Sequence, residues 1–436
     1  RDEVVRSGDR TGKQRDEVLA SMTDEVATLV LRDNYDQNVL LGNARRGAAN
    51  LIEVHGRMIR DLESRDILDR ALEVLPADDE IATRAMAGQG LTGPELAVLA
   101  AYAKISLAQD LGTAAAQDPW FTDRLVEYFP ERIQQDFAER IPGHSLRDGI
   151  ITTMVVNEII NNGGISIVFR ACEETGASAP EVVRAASAVT AIFGLRDFWR
   201  RVNALDNAVP TQAQDALHLE SRRLLDRALR WFLNARGGIL DVQTEVDRFR
   251  PVVQALSAHV VPALRGVEQD RYERGVNQFV ELGAPVELAE EASALLDVFA
   301  MLDITEIAEA TGQDPASVLD VYFALSERYG VDRFLGQITV LSRADRWTAL
   351  ARQALRSDLY AALAQFTLGV VGQTDPEQST GERIEQWESG HAEGLSRARS
   401  TLDQIAAAEN ADLAMLSVAL RVLRTLVIQS VTARSQ

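Results

Sequence analysis

Apolar residues return along this chain every three or four positions, the period of helices packed on one side. Val18, Met22, Val26, Leu29 and Val30 share one stripe, which predicts an amphipathic helix over residues 13–32, with Asn34 as its stop. A second pattern (Ala44, Ala48, Leu51, His55, Met58, Ile59, Leu62) runs to Ser64. A third (Ile67, Leu68, Ala71, Leu72, Leu75) ends before Pro76. The clearest helix start follows at Thr92. Thr92 and Glu95 have the spacing of a capping box, and Pro94 falls in the first turn, where a missing N–H costs nothing. Leu96, Leu99, Ala103 and Leu107 then define the apolar face.

The same punctuation continues downstream. Ser178-Ala-Pro-Glu181 repeats the cap, proline and returning glutamate. Asp118 before Pro119, Ser145 with Asp148, Asp303, Asp314 before Pro315, and Ser342 with Asp345 predict further starts. Asn161-Asn-Gly-Gly164 and the pair Gly237-Gly238 predict breaks, the latter ending a long helix over 211–236. Asp241 opens a pattern reaching Arg265, with kinks expected at Pro251 and Pro262. Residues 165–169, Ile-Ser-Ile-Val-Phe, form the one run with strand character. They are too isolated to make a sheet and are read as the start of a buried helix.

These patterns predict an all-α fold, a multi-helix array or set of bundles without a Rossmann sheet. The expected divisions are residues 1–35, helical regions over 36–236 and 237–371, a linker over 372–381 rich in turn formers, and a helical hairpin over 382–436. In its last helix Leu413, Leu416, Leu420, Leu423 and Val427 form a near-heptad stripe suited to helix packing or to a partner helix. No motif recurs at the fixed period of a solenoid.

Charge and composition narrow the chemistry. With 45 basic and 65 acidic residues the 436-residue chain carries a net charge of −20, which argues against a nonspecific nucleic-acid surface. All but two of the basic residues are arginine; Lys13 and Lys104 are the lysines. Cys172 is the one cysteine, which excludes an intrachain disulfide and a Cys-based zinc site and fits a reduced, cytoplasmic setting. The most apolar run, 413–431, is interrupted by Arg421 and Arg424, so no membrane span is expected. A start at Arg1 rather than Met is expected of a fragment or a processed product.

The candidate chemistry is sparse. Gly88, Gly90 and Gly93 match the G-x-G-x-x-G fingerprint of dinucleotide sites, but residues 80–87 read as a charged helix and not as the strand that fingerprint needs. The loop before a capped helix is the expected role. His55, His144, His218, His259 and His391 are too scattered to form a zinc motif. Cys172 sits on an apolar stripe with Val168 and Phe169, without a neighbour that would lower its pKa. Lys104 lies among Ala101, Tyr102, Ala103 and Ile105, where a snorkelling chain or a buried ion pair is expected. The residues alone therefore assign no catalytic, cofactor-binding or metal-binding position.

Several stretches carry a resemblance. They are Lys13-Gln-Arg-Asp-Glu-Val-Leu-Ala-Ser-Met-Thr-Asp-Glu-Val-Ala27 running into Val30-Leu-Arg-Asp-Asn-Tyr35, Leu68-Asp-Arg-Ala-Leu-Glu-Val-Leu-Pro76, and Gly90-Leu-Thr-Gly-Pro-Glu-Leu-Ala-Val-Leu-Ala-Ala-Tyr-Ala-Lys104. Phe169-Arg-Ala-Cys-Glu-Glu-Thr-Gly-Ala177 and Leu205-Asp-Asn-Ala-Val-Pro210 add to them. Together they resemble the C-terminal part of the large bacterial NAD-specific glutamate dehydrogenases. The specific matches span the first half of the chain; the second half matches in helical character.

The resemblance implies oxidative deamination of L-glutamate with NAD, by a catalytic lysine, an acid/base aspartate and a Rossmann-type domain that lie upstream of this region. It makes residues 1–35 the helix returning from the dehydrogenase core. It implies the upstream catalytic domain of the same polypeptide as partner and NAD as a cofactor bound outside this chain; homo-oligomeric assembly is expected, and neither nucleic acid nor membrane. Two competing expectations are an independent helical interaction module pairing through the 413–427 stripe, and a nucleotide-binding enzyme using Gly88–Gly93.

Overall fold

The computed structural model describes residues 8, 11–236, 238, 240–341, 345–408 and 411–432. It is 81% helical, with no strand among the described residues. The chain divides into two compact units, Arg1–Ser187 with Gly237–Val242, and Ala188–Arg236 with Gln243–Gln436.

In the first unit the Gly93–Leu111 helix is central, packing on Arg147–Gly163 and on Thr23–Gly47. Leu96, Leu99, Ala103 and Leu107 are buried as the periodicity predicts, opposite Ile151, Val155 and Ile159. Thr92 and Glu95 close a reciprocal capping box, and Glu95 accepts the Thr92 N–H at 2.6 Å. The Ser178 device also forms, with Glu181 accepting from both the Ser178 N–H (2.8 Å) and its hydroxyl (2.7 Å). The run at 165–169 enters the helix Ile167–Thr175, as expected of a buried helix start.

Val26, Leu29 and Val30 of the first stripe are exposed rather than covered, and four further local expectations fail, each for a physical reason. Asn34 does not stop its helix, which is Thr23–Gly47 and follows a separate short helix, Gly12–Ser21. An interior asparagine costs only a few tenths of a kcal/mol when no glycine or proline follows. Residues 67–75 are turns and not a helix. Asp69 takes the N–H groups of Ala71 and Leu72, Val74 sits at φ 54°, and Arg70 is drawn to Glu63 and Asp78. Such a segment is too short to repay helix nucleation before Pro76. Ser145 is no cap, because Arg147–Gly163 starts after Leu146 without a side-chain cap. Asp303 is no cap either; it lies buried within the first turn of Met301–Thr311.

The second unit is arranged around the Arg346–Val371 helix. It packs against Leu413–Thr432, Pro315–Arg328, Met301–Thr311, Val331–Val340 and Thr380–Gly390. Leu359, Leu363, Phe366 and Val370 fill the contact. Asp345 caps this helix with Thr348, while its expected partner Ser342 lies outside the described residues. Thr211–Ala235 ends just before the glycine pair, of which Gly237 is also outside the described residues. Val242–Ala263 contains both Pro251 and Pro262.

The 413–427 stripe faces inward from Leu416 onward, while Leu413 is exposed. Leu416, Leu420, Leu423 and Val427 are buried, and the helix packs on Arg346–Val371 and Ala392–Ala406. That burial withdraws the stripe from a partner helix. Residues 372–379 are tight turns, in which Thr374 is buried and donates to the Val370 carbonyl at 2.7 Å.

Gly90 supplies a close approach in the first unit. A Cβ there would lie 2.3 Å from the Ala48 carbonyl carbon and 2.5 Å from the Ala49 nitrogen, and backbone cannot swing aside. Gly90→Ala is expected to cost about 1–3 kcal/mol, the usual penalty of overpacking. A urea melt with an unchanged midpoint would contradict the packing.

Candidate functional site

The glycine loop is the first place to look for a ligand, and its surroundings are already spent. It follows the helix Asp78–Met86, not a strand. Gly88 takes φ 66°, Gly90 is pressed on the Ala48 backbone, and Gly93 opens the next helix. Glu95 stands at that helix start and also binds Arg84 through two contacts of 2.7 and 3.0 Å. Burial pulls the Glu95 carboxyl upward, but the bonds from Arg84 and Thr92 hold it below the usual carboxylate range. A carboxylate thus occupies the positive end of the helix, where a phosphate would otherwise be favoured.

Lys104 is half-buried, and burial lowers its pKa against the pull of Asp33 and Asp36. Burial in turn raises Asp36, which faces Arg32, Asp33 and Lys104. Lys104 thus lies among acidic neighbours in the first unit. Cys172 is half-buried; burial, with Asp110 and Asp61 nearby, pushes its thiol up to about 11, so it is a poor nucleophile.

The histidines are dispersed. Burial holds His55 neutral, at about 4, and His218 at about 3, with His218 Nε2 3.0 Å from Asn203 Oδ1. His391 stacks on Trp387 with ring centroids 4.3 Å apart, and His144 packs edge-on to Phe129. His259 is exposed. Among the described residues no three His, Cys, Asp or Glu side chains are placed to hold a metal.

The densest set of perturbed groups lies in the second unit, where sequence spacing gave no sign of it. Asp303 accepts from Trp231 Nε1 at 2.7 Å and from the Tyr322 hydroxyl at 3.4 Å, and burial pushes its carboxyl up to about 7. Glu268 accepts from the Ser326 hydroxyl at 2.9 Å through Oε1, while its Oε2 is buried without a hydrogen bond. Burial first, then the nearby Asp297 and Asp332 carboxyls, push Glu268 up to about 8. Asp297 is raised by burial although Arg271 is bonded to it. Arg227 donates to the Tyr360 hydroxyl at 3.1 Å.

Helices Thr211–Ala235, Gly266–Glu281, Val286–Val298, Met301–Thr311, Pro315–Arg328, Val331–Val340 and Arg346–Val371 supply these side chains. The arrangement holds buried carboxyls that burial raises toward neutrality. It pairs no nucleophile with a base, so it does not set up covalent chemistry. Its bonded partners lie 19 to 133 residues apart, beyond any local motif. The legible trace was an acid within Met301-Leu-Asp-Ile304.

A surface groove of about 620 Å³ is lined by Glu388, Leu395, Arg399 and Asp403, among others. Its Glu388 is engaged by Arg328 (2.6 Å), Tyr329 (2.9 Å) and Arg399 (3.0 Å), which hold the carboxyl low despite burial. Among the described residues no helix is long and apolar enough to cross a membrane.

The fold is thus an all-helical assembly whose buried titratable groups join helices together. Comparison with known proteins places it. The family model described as "Glutamate dehydrogenase, C-terminal" matches residues 88–425, and "Bacterial NAD-glutamate dehydrogenase, catalytic domain" matches residues 1–44. The chain belongs to the bacterial NAD-glutamate dehydrogenase family, as a C-terminal region.

It is 41% identical over 97% of its length to the NAD-specific glutamate dehydrogenase of Mycobacterium tuberculosis. Identity is 37% over 97% of the chain to that of Pseudomonas aeruginosa, and 34% over 96% to that of Halomonas elongata. The chain spans 26% of the length of each of these relatives.

The raised carboxyls fix a pH dependence. Unfolded, Glu268 ionises at its ordinary 4.5; folded, only at about 8. Between those values the unfolded chain has lost a proton that the folded chain keeps, so stability falls as pH rises through this window and levels off above it. His218, held neutral, works in the opposite sense below 6.5 and cancels on comparison with a variant. Glu268→Gln removes the carboxyl's share. Its melting temperature relative to the parent is expected to rise between pH 5 and pH 8, by roughly 2–4 °C for each kcal/mol removed. A difference independent of pH would contradict the assignment.

Proposed function

We propose that this chain is the helical C-terminal region of an NAD-specific glutamate dehydrogenase. The catalytic part, upstream in the same polypeptide, takes hydride from L-glutamate to NAD and releases 2-oxoglutarate and ammonium after hydrolysis of the imine. The observation that carries this reading is the meeting of two family models on one chain, with the catalytic-domain match ending at residue 44, inside the Thr23–Gly47 helix. Each curated relative cited above is described as an NAD-specific glutamate dehydrogenase.

On this reading the catalytic, nucleotide-binding and any metal-binding residues belong to the upstream part, and the helical region serves as scaffold, assembly or regulatory element. Homo-oligomeric assembly and a cytoplasmic location are part of the proposal; the single cysteine, with its raised pKa, suits a reducing compartment. Following NADH absorbance tests the whole. The longer polypeptide is expected to reduce NAD with L-glutamate as substrate, and the 436-residue chain to give no turnover. Robust turnover by the shorter chain would overturn the division of labour, and none by the longer one would overturn the activity.

A further inference from the structure

The first turns of the Thr23–Gly47 helix are exposed where an amphipathic helix should be covered. Val26, Val30 and Leu31 are 42%, 53% and 67% exposed. With Ala27, Asn34 and Asn38 they recur at helical spacing and make one outward face, all of it accessible and none of it charged. Exposed Asp24 and Asp33 border this face, and exposed Arg45 follows it beyond Asn38. Asp33 and Asp36 face Lys104, Glu25 accepts the Glu131 N–H at 2.6 Å, and the buried Leu40 continues that inner side. Charge depletion around an apolar centre, with neutral polar residues beside it, is the composition of the buried part of a protein interface.

We infer that this outward face is a docking surface for the catalytic domain of the same polypeptide. The inference rests on the proposed function above. Two observations select that occupant. The helix bearing the face lies within the residues that match the catalytic-domain model, up to residue 44. The relatives also carry about three quarters of their length outside the part this chain matches, since it covers 26% of them. A helix that belongs to the catalytic domain by sequence, and turns an uncharged face outward here, is covered by the remainder of that domain.

Thiol labelling in the longer polypeptide tests this. In a Cys172→Ala background, Val30→Cys and Leu31→Cys place a thiol on the face. Thr28→Cys places one on another exposed side of the same helix. A small alkylating reagent should modify Thr28→Cys at the rate of a free surface thiol and the other two at least about tenfold more slowly. Equal rates at all three positions overturn the inference. Protection that disappears on dilution means that a second copy covers the face, and overturns it too.

Amide hydrogen exchange over residues 26–38 in the unsubstituted polypeptide reads the same segment without a variant. Slow exchange is expected, and the fast exchange of a fraying helix contradicts docking. Reduction of NAD by glutamate, assayed in the same preparation, separates the two ideas. Turnover with an unprotected face removes the docking surface alone, whereas a protected face without turnover removes the proposed activity.

Discussion

The carbonyls left open at a helix end take donors from the next turn of backbone, from water or from side chains, and the side-chain donors here join one helix to another. Arginine does this repeatedly here. Arg383 is buried and donates to Thr374 Oγ1 at 2.9 Å, Ser317 Oγ at 2.9 Å and Gln313 Oε1 at 2.7 Å, with the Val371 carbonyl at 3.3 Å. One guanidinium thereby joins the end of Arg346–Val371, the turns after it and the start of Pro315–Arg328. Arg352, also buried, donates to the Ile338 and Thr339 carbonyls at 2.7 and 2.6 Å and closes the end of Val331–Val340. A lysine offers no such planar fork, which gives the near-exclusive use of arginine a structural reason.

The same demand shapes the first unit. Arg57 meets Glu173 at 3.0 Å with both side chains largely buried, tying Ile52–Ser64 to Ile167–Thr175. Arg84 and Glu95 tie the helices on either side of the glycine loop. Where a carboxyl is buried with less support, as at Glu268 and Asp303, burial raises its pKa toward neutrality. The protons it keeps make stability respond to pH. Arginines thus hold some partly buried carboxyls low, as at Glu95 and Glu388, while burial raises others, as at Glu268, Asp303 and the arginine-bound Asp297.

Most helices were legible because their start signals are local: Thr92 with Glu95 and Ser178 with Glu181 need only a four-residue window. The apolar face from Leu96 to Leu107 was legible for the same reason. The turns at 67–75 were not, since their shape is set by Asp69 and by Arg70 reaching Asp78. Asp303 has the spacing of a cap, yet its partners Trp231 and Tyr322 come from other helices. The glycine pattern was correctly read as a loop, but the need for Gly90 comes from Ala48, far back in the chain. The stripe over 413–427 was legible as apolar, while the identity of what covers it was not. Family membership was readable from short stretches in the first half, and the comparisons extend it through residue 425.

The central proposal is that this region comes from an NAD-specific glutamate dehydrogenase whose nucleotide site lies upstream of it. Titration of NAD into the 436-residue chain by calorimetry tests it most directly. The loop at Gly88–Gly93, closed by Arg84 and Glu95 against a helix and not a strand, predicts no saturable heat. Stoichiometric binding that is lost on substituting Gly88 or Gly93 would contradict the account.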